Sequence, residues 1–127
     1  MTDAELIARL EDGTLPESEF RHAAHVRAAY IHLRESGFAG AIERMGAAIR
    51  GYAAARGKAG LYHETITVAF LVLINERLRL SGDGGGWVGF AAAHPELLDR
   101  ACLTRYYRPE TLATPRARQV FVLDERG

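Results

Sequence analysis

Cysteine is almost missing from this chain of 127 residues, with Cys102 the only one. One thiol cannot build a disulfide framework within the chain, so a cytoplasmic setting is the expectation. An excess of charge of either sign is also missing. Sixteen basic and 16 acidic residues give a formal net charge of zero, so nothing favours nucleic acid or an anionic membrane as partner. The charges are interleaved rather than blocked, as on solvated helix faces. Long apolar runs are lacking too. The longest, Val68 to Ile74, falls far short of the ~20 residues of a membrane span. The start, Met1-Thr2-Asp3-Ala4-Glu5, is acidic and has no basic-then-apolar layout of a signal peptide. Repeats and low-complexity segments are absent, as is a second apolar core.

What is present is an ordinary globular balance, 48% apolar and 25% charged. A chain of this length can bury about two thirds of its unfolded surface, enough for one domain over residues 1–127 without staples.

Thr2-Asp3-Ala4-Glu5 has the form of a capping box, followed by a short apolar face of Leu6, Ile7 and Leu10. Asp12-Gly13-Thr14-Leu15-Pro16 ends that helix by turn chemistry. A second helix is predicted over about 20–35, where Ala23, Val26, Tyr30 and Leu33 form a stripe. Beside it run His22, His25, Ala29 and His32. Ser36-Gly37 closes this helix, and an alanine-rich third follows over 39–56, with Ile42, Met45, Ile49 and Tyr52 as its stripe. The fourth helix, about 62–80, holds the most apolar segment and is the natural centre of the fold. Its β-branched content would suit a strand. The pattern nevertheless continues through Leu80, and that length argues for helix. Residues 81–86, rich in glycine, read as a flexible connector. A short helix over 87–94, another from Pro95 to about Leu103, and a last one over 114–119 complete the series. The apolar tail Val120-Phe121-Val122-Leu123 is expected to pack back on the rest. Helices alternating with short loops imply an all-α, single-domain antiparallel bundle of about five to six helices.

Two places carry candidate chemistry. His22 and His25 are three residues apart, ~60° around a helix and one turn along it, so their imidazoles can converge on one ion. His32 points nearly as His25 does but lies ~10 Å further along, too far to join them. His63 and Glu64 stand at the mouth of the central helix. There the positive end of the helix dipole favours an ionised carboxylate and a neutral imidazole, the forms that bind metal or take a proton. Capping explains the same two residues equally well, since acids suit a first turn and a histidine can occupy a cap position. His63-Glu64-Thr65-Ile66-Thr67 lacks the second histidine of a zinc-protease helix, Thr67 standing in its place. Residues 51–58 have the wrong spacing for a phosphate loop, and Ala59 follows where Ser or Thr belongs. Arg27, His94 and Cys102 read as a surface residue, a turn residue and a small buried hydrophobe.

Phe20-x-His22-x-x-His25-Val26-Arg27, Tyr62-His63-Glu64-Thr65-Ile66-Thr67, and Tyr106-Tyr107 with Glu110-Thr111-Leu112, Ala117-Arg118 and Phe121-Val122-Leu123 resemble a largely uncharacterised family of small bacterial all-helical proteins. The resemblance spans about residues 14–123. It implies that His22, His25, His63 and Glu64 belong to one signature, and it carries no activity with it.

The leading expectation is a small metal-dependent enzyme acting on a small molecule. His22, His25 and His63 would be ligands, and Glu64 a fourth ligand or a general base. The ion would be one divalent transition metal, Fe, Zn, Cu or Ni. Tyr62, Thr65 and Tyr107 would support the site or contact substrate, with Tyr62 and Tyr107 joining Glu64 as the expected catalytic residues. The alternatives are a helical protein that binds metal or a small ligand without turnover, a metal-free enzyme using a His–Glu acid/base pair, and a structural or interaction protein whose histidines are incidental. An apolar tail on a bundle also makes a homodimer an expectation to test.

Overall fold

The structure, a computed structural model, describes residues 1–125. The expected domain over 1–127 thus includes Arg126 and Gly127, which lie outside the described residues. Helix α1 (Asp3–Asp12) begins as its sequence dictates. The Thr2 hydroxyl accepts from the Glu5 N–H, the Glu5 carboxylate accepts from the Thr2 N–H, and Gly13 ends the helix at φ 80°. Leu6, Ile7 and Leu10 are buried. Arg27, expected at the surface, is partly exposed and ties the start of α1 down, donating to Asp3 at 2.7 Å and to the Met1 carbonyl at 2.9 Å.

Helix α2 (His22–Ala55) holds both the second and the third expected helices, and they meet without a linker. Gly37 alone separates them, at φ 70° and ψ −178°. That conformation is open essentially to glycine only, so one residue can turn the chain between two helical arms. Val26, Tyr30 and Leu33 are buried in the first arm, Met45, Ile49 and Tyr52 in the second. Ala23, expected on the apolar stripe, is exposed, while Ala28 and Ile31 are buried. The buried face is therefore wider than the expected stripe.

Helix α3 (Glu64–Ser81) is the central helix, as expected. It packs chiefly on α2, and Thr65, Val68, Ala69, Leu71, Leu73 and Ile74 are buried along it. It begins one residue after His63, which is its N-cap. The glycine-rich segment that follows is a built turn rather than a loose connector. Asp83 Oδ1 accepts from the Gly85 N–H at 2.9 Å, and the Tyr30 hydroxyl donates to the Asp83 carbonyl at 2.8 Å. A methyl at Gly89 would lie 2.1 Å from the Gly84 carbonyl oxygen. Helix α4 (Trp87–Ala93) places Phe90 against Tyr30 at a ring separation of 4.7 Å. Pro95 starts not one α-helix but two 3₁₀ segments, Pro95–Leu98 and Arg100–Arg105, which bury Leu97, Cys102 and Leu103. Burial raises the Cys102 thiol pKa, in keeping with a packing role.

Helices α5 (Pro109–Leu112) and α6 (Pro115–Gln119) are single turns, each started by a proline. The tail then returns over α3 through its backbone. Thr65 Oγ1 donates to the Val120 carbonyl at 2.9 Å and accepts from the Val122 N–H at 3.1 Å, while the Tyr107 hydroxyl donates to the Val122 carbonyl at 2.5 Å. Its side chains pack less than expected, and Leu123 is 73% exposed. The fold is all-helical, with no strand among the described residues, and no described helix is long and apolar enough to cross a membrane.

Candidate functional site

The arms of α2 and the first half of α3 do not close completely on each other. Between them lies a cavity of about 770 Å³, within the ~300–1,000 Å³ of ordinary small-molecule sites. Its floor is buried and apolar: Val26, Ala29, Met45, Ile49 and Leu71. Its walls carry His22, His25, Tyr62, His63, Thr67 and Phe70. Arg21, Leu61, Leu98 and Arg100 line it and are also exposed, which marks the mouth. The second helix thus does bring His22 and His25 to the entrance of the central helix, although 41 positions separate His22 from His63 (63 − 22).

Shared walls do not mean shared chemistry. A carbonyl only accepts, so each ring nitrogen facing one must carry the proton. His63 Nε2–H donates to the Leu112 carbonyl at 2.7 Å, and His63 Nδ1 accepts from the Ile66 N–H at 3.1 Å. Both nitrogens are occupied, as a cap and as a tether to α5. The one lone pair of His63 in this tautomer, on Nδ1, is therefore held by the Ile66 N–H and is not free for a metal. The first-turn reading of this residue, capping, is the one that its geometry satisfies.

Glu64 lies beside the cavity rather than on it. Its Oε1 accepts from the Tyr62 hydroxyl at 2.5 Å and faces Arg50 at 3.6 Å, whose guanidinium also sits 5.0 Å over the Tyr62 ring. Burial and the Glu64 carboxylate push the Tyr62 phenol up to about 12, so it stays protonated and serves as donor to Glu64. Tyr107 is outside the cavity, its hydroxyl holding the tail. Thr65 is likewise spent on the tail, with its donor and an acceptor position both used. Among the described residues, no group of three or more His, Cys, Asp or Glu side chains is placed to hold a metal ion.

Two histidines remain available. His22 Nε2–H donates to the Leu97 carbonyl at 3.0 Å, which leaves the Nδ1 lone pair free, and its ring meets Phe70 edge-on at 4.9 Å. His25 is stacked flat on Phe20, with ring centroids 3.8 Å apart and 10° between planes. Burial drives its pKa down to about 4, helped by His22 and Arg100 and weakly opposed by the Phe20 carbonyl. A neutral imidazole carries one nitrogen with a free lone pair, and no described residue donates a hydrogen bond to it. His32 is fully buried, with Nδ1–H donating to the Ala28 carbonyl at 2.9 Å and Nε2 without a partner. It takes no part in the cavity.

The sequence reading missed Phe20 as a ring partner of His25, and it missed Arg21 and Arg100 at the mouth. Phe20 had a signal, since it sits just ahead of the first turn that carries His25. Arg100 had none, because only the fold brings it to a histidine 75 residues earlier (100 − 25). Fold and site together define an all-helical protein with a histidine-lined cavity open to solvent at its mouth. No protein-family model, curated protein or solved structure matches the chain.

Proposed function

We propose that this protein binds a small organic molecule in the cavity between α2 and α3 and exchanges a proton with it through His25. The observation that carries this reading is the neutral His25 ring on the wall of a cavity with an apolar floor, with its lone pair unclaimed. A neutral imidazole can take a proton from a substrate held against it, once the negative charge of a bound substrate offsets the low basicity that burial imposes. His22 Nδ1 offers a second acceptor one turn away. The Tyr62–Glu64–Arg50 cluster borders the site and fixes the Tyr62 ring in the wall. This is the metal-free acid/base enzyme of the sequence reading, with His25 as the base in place of a His63–Glu64 pair.

Ligand-observed NMR with a library of small acids, esters and amines tests it. Binders are expected whose shift changes map to His22, His25, Tyr62 and Phe70. His25→Gln is expected to keep binding and lose turnover or proton exchange. A library with no binder that maps to the cavity contradicts the reading.

A metal-dependent reading is favoured by one observation: His22 is oriented by a backbone carbonyl through its Nε2–H, as metal-bound histidines usually are. His22 and His25 would then hold one divalent ion, leaving positions open to substrate. Cobalt titration followed by its visible spectrum tests this. The metal reading expects binding that is lost in His22→Gln and His25→Gln and kept in His63→Asn.

A further inference from the structure

The cavity carries charge of one sign at its mouth. Arg21 and Arg100 both line it and both are exposed. Half of the described arginines face a carboxylate, among them Arg27 with Asp3, Arg50 with Glu64 and Arg108 with Asp124. Arg21 donates only to the Ser18 carbonyl, and Arg100 makes no ion pair among the described residues. No carboxylate of the described residues lines the cavity. The first turn of α2, at the same mouth, has no side-chain cap, so its free N–H groups add a little of the same sign. The charge of Arg100 reaches His25, whose protonation it opposes. In a protein of zero net charge, this is a local excess of positive charge over an apolar floor. Leu61 and Leu98, 68% and 37% exposed, complete the rim with apolar surface that no described residue covers.

Resting on the reading that the cavity binds a small molecule, we infer that its ligand is an amphipathic monoanion, with an apolar body on the Val26–Met45–Leu71 floor and a carboxylate at the mouth beside Arg21 and Arg100. An apolar body fits the floor because burial of its surface is favourable there. The anion fits the mouth because two solvated guanidiniums attract it without a buried charge having to be made. A cation of the same shape meets repulsion from both.

Calorimetric titration with octanoate, octan-1-ol and octylamine, each below its self-association limit, tests the inference on the full chain. Octanoate is expected to bind at least about tenfold more tightly than octan-1-ol, and octylamine more weakly than either. The preference is expected to shrink as salt is raised. It is expected to vanish in Arg21→Gln/Arg100→Gln, whose melting temperature checks that it still folds. Equal affinities for octanoate and octan-1-ol overturn the charge preference, and a preference that survives in the double variant overturns its assignment to Arg21 and Arg100; either result leaves the cavity reading standing. No binding of any of the three overturns both.

Discussion

At the scale of single residues, four histidines on α2 and before α3 have four different fates, set by their hydrogen bonds. His63 is structural. Its change to alanine removes a helix cap and a buried bond to Leu112, and is expected to cost about 2 kcal/mol in urea unfolding. His63→Asn restores the cap and is expected to recover part of that loss. His25 and His32 both have lowered pKa values. The unfolded chain therefore binds protons that the folded protein refuses. Stability is full above about 6.5, the ordinary histidine value, and is lost as pH falls toward about 4. For His25, partly open to the cavity, this loss is on the order of 2–3 kcal/mol. The groups that act on it from the packed elements are His22, Arg100 and the Phe20 carbonyl, with Arg21, Tyr62 and His63 on the same cavity. His25→Phe keeps the stacking surface on Phe20 and is expected to flatten the acid limb of the urea midpoint measured against pH. His32→Leu removes a buried unpaired nitrogen and is expected to hold or raise the midpoint at pH 7. The His22/His25 pair was legible from its spacing. Which nitrogens stay free was not, because the partners at Leu97 and Leu112 are remote in sequence and have no side-chain signature.

At the scale of elements, the helices before Leu80 were legible because each carries its own punctuation: the Thr2/Glu5 box, Gly13, Gly37 and the apolar run of α3. Gly37 is the most demanding of these. Gly37→Ala places a side chain at φ 70°, ψ −178° and is expected to cost about 1–3 kcal/mol, read as a lower thermal midpoint. The expected helix after Pro95 became 3₁₀ turns, since so short a segment has too little apolar periodicity to separate the two helix types. The glycines of residues 82–86 looked like slack because composition alone cannot distinguish a flexible loop from a turn that needs its glycines. Gly84 and Gly89 pack backbone on backbone, so Gly89→Ala is expected to loosen α4 and raise hydrogen exchange there.

At the scale of the whole molecule, the C-terminal segment acts as a strap across α3, and Thr65 and Tyr107 are its fasteners. Thr65→Val keeps the shape but removes both bonds. It is expected to speed proteolytic trimming of the tail while leaving ligand binding in the cavity unchanged, since Thr65 does not line it. The strap and the tether from α5 fasten the C-terminal segment to α3, whose first half lines the cavity that has His25 in its opposite wall. The state of His25 is therefore the most direct check on the function proposed for this fold. Nitrogen-15 chemical shifts of the histidine side chains, followed from pH 8 to pH 3.5, give tautomer and protonation together. The expected result is a His25 ring that stays neutral at pH 6 and titrates near about 4, moving upward when octanoate is bound. A His25 ring that titrates near its ordinary value of 6.5, unmoved by ligand, contradicts it.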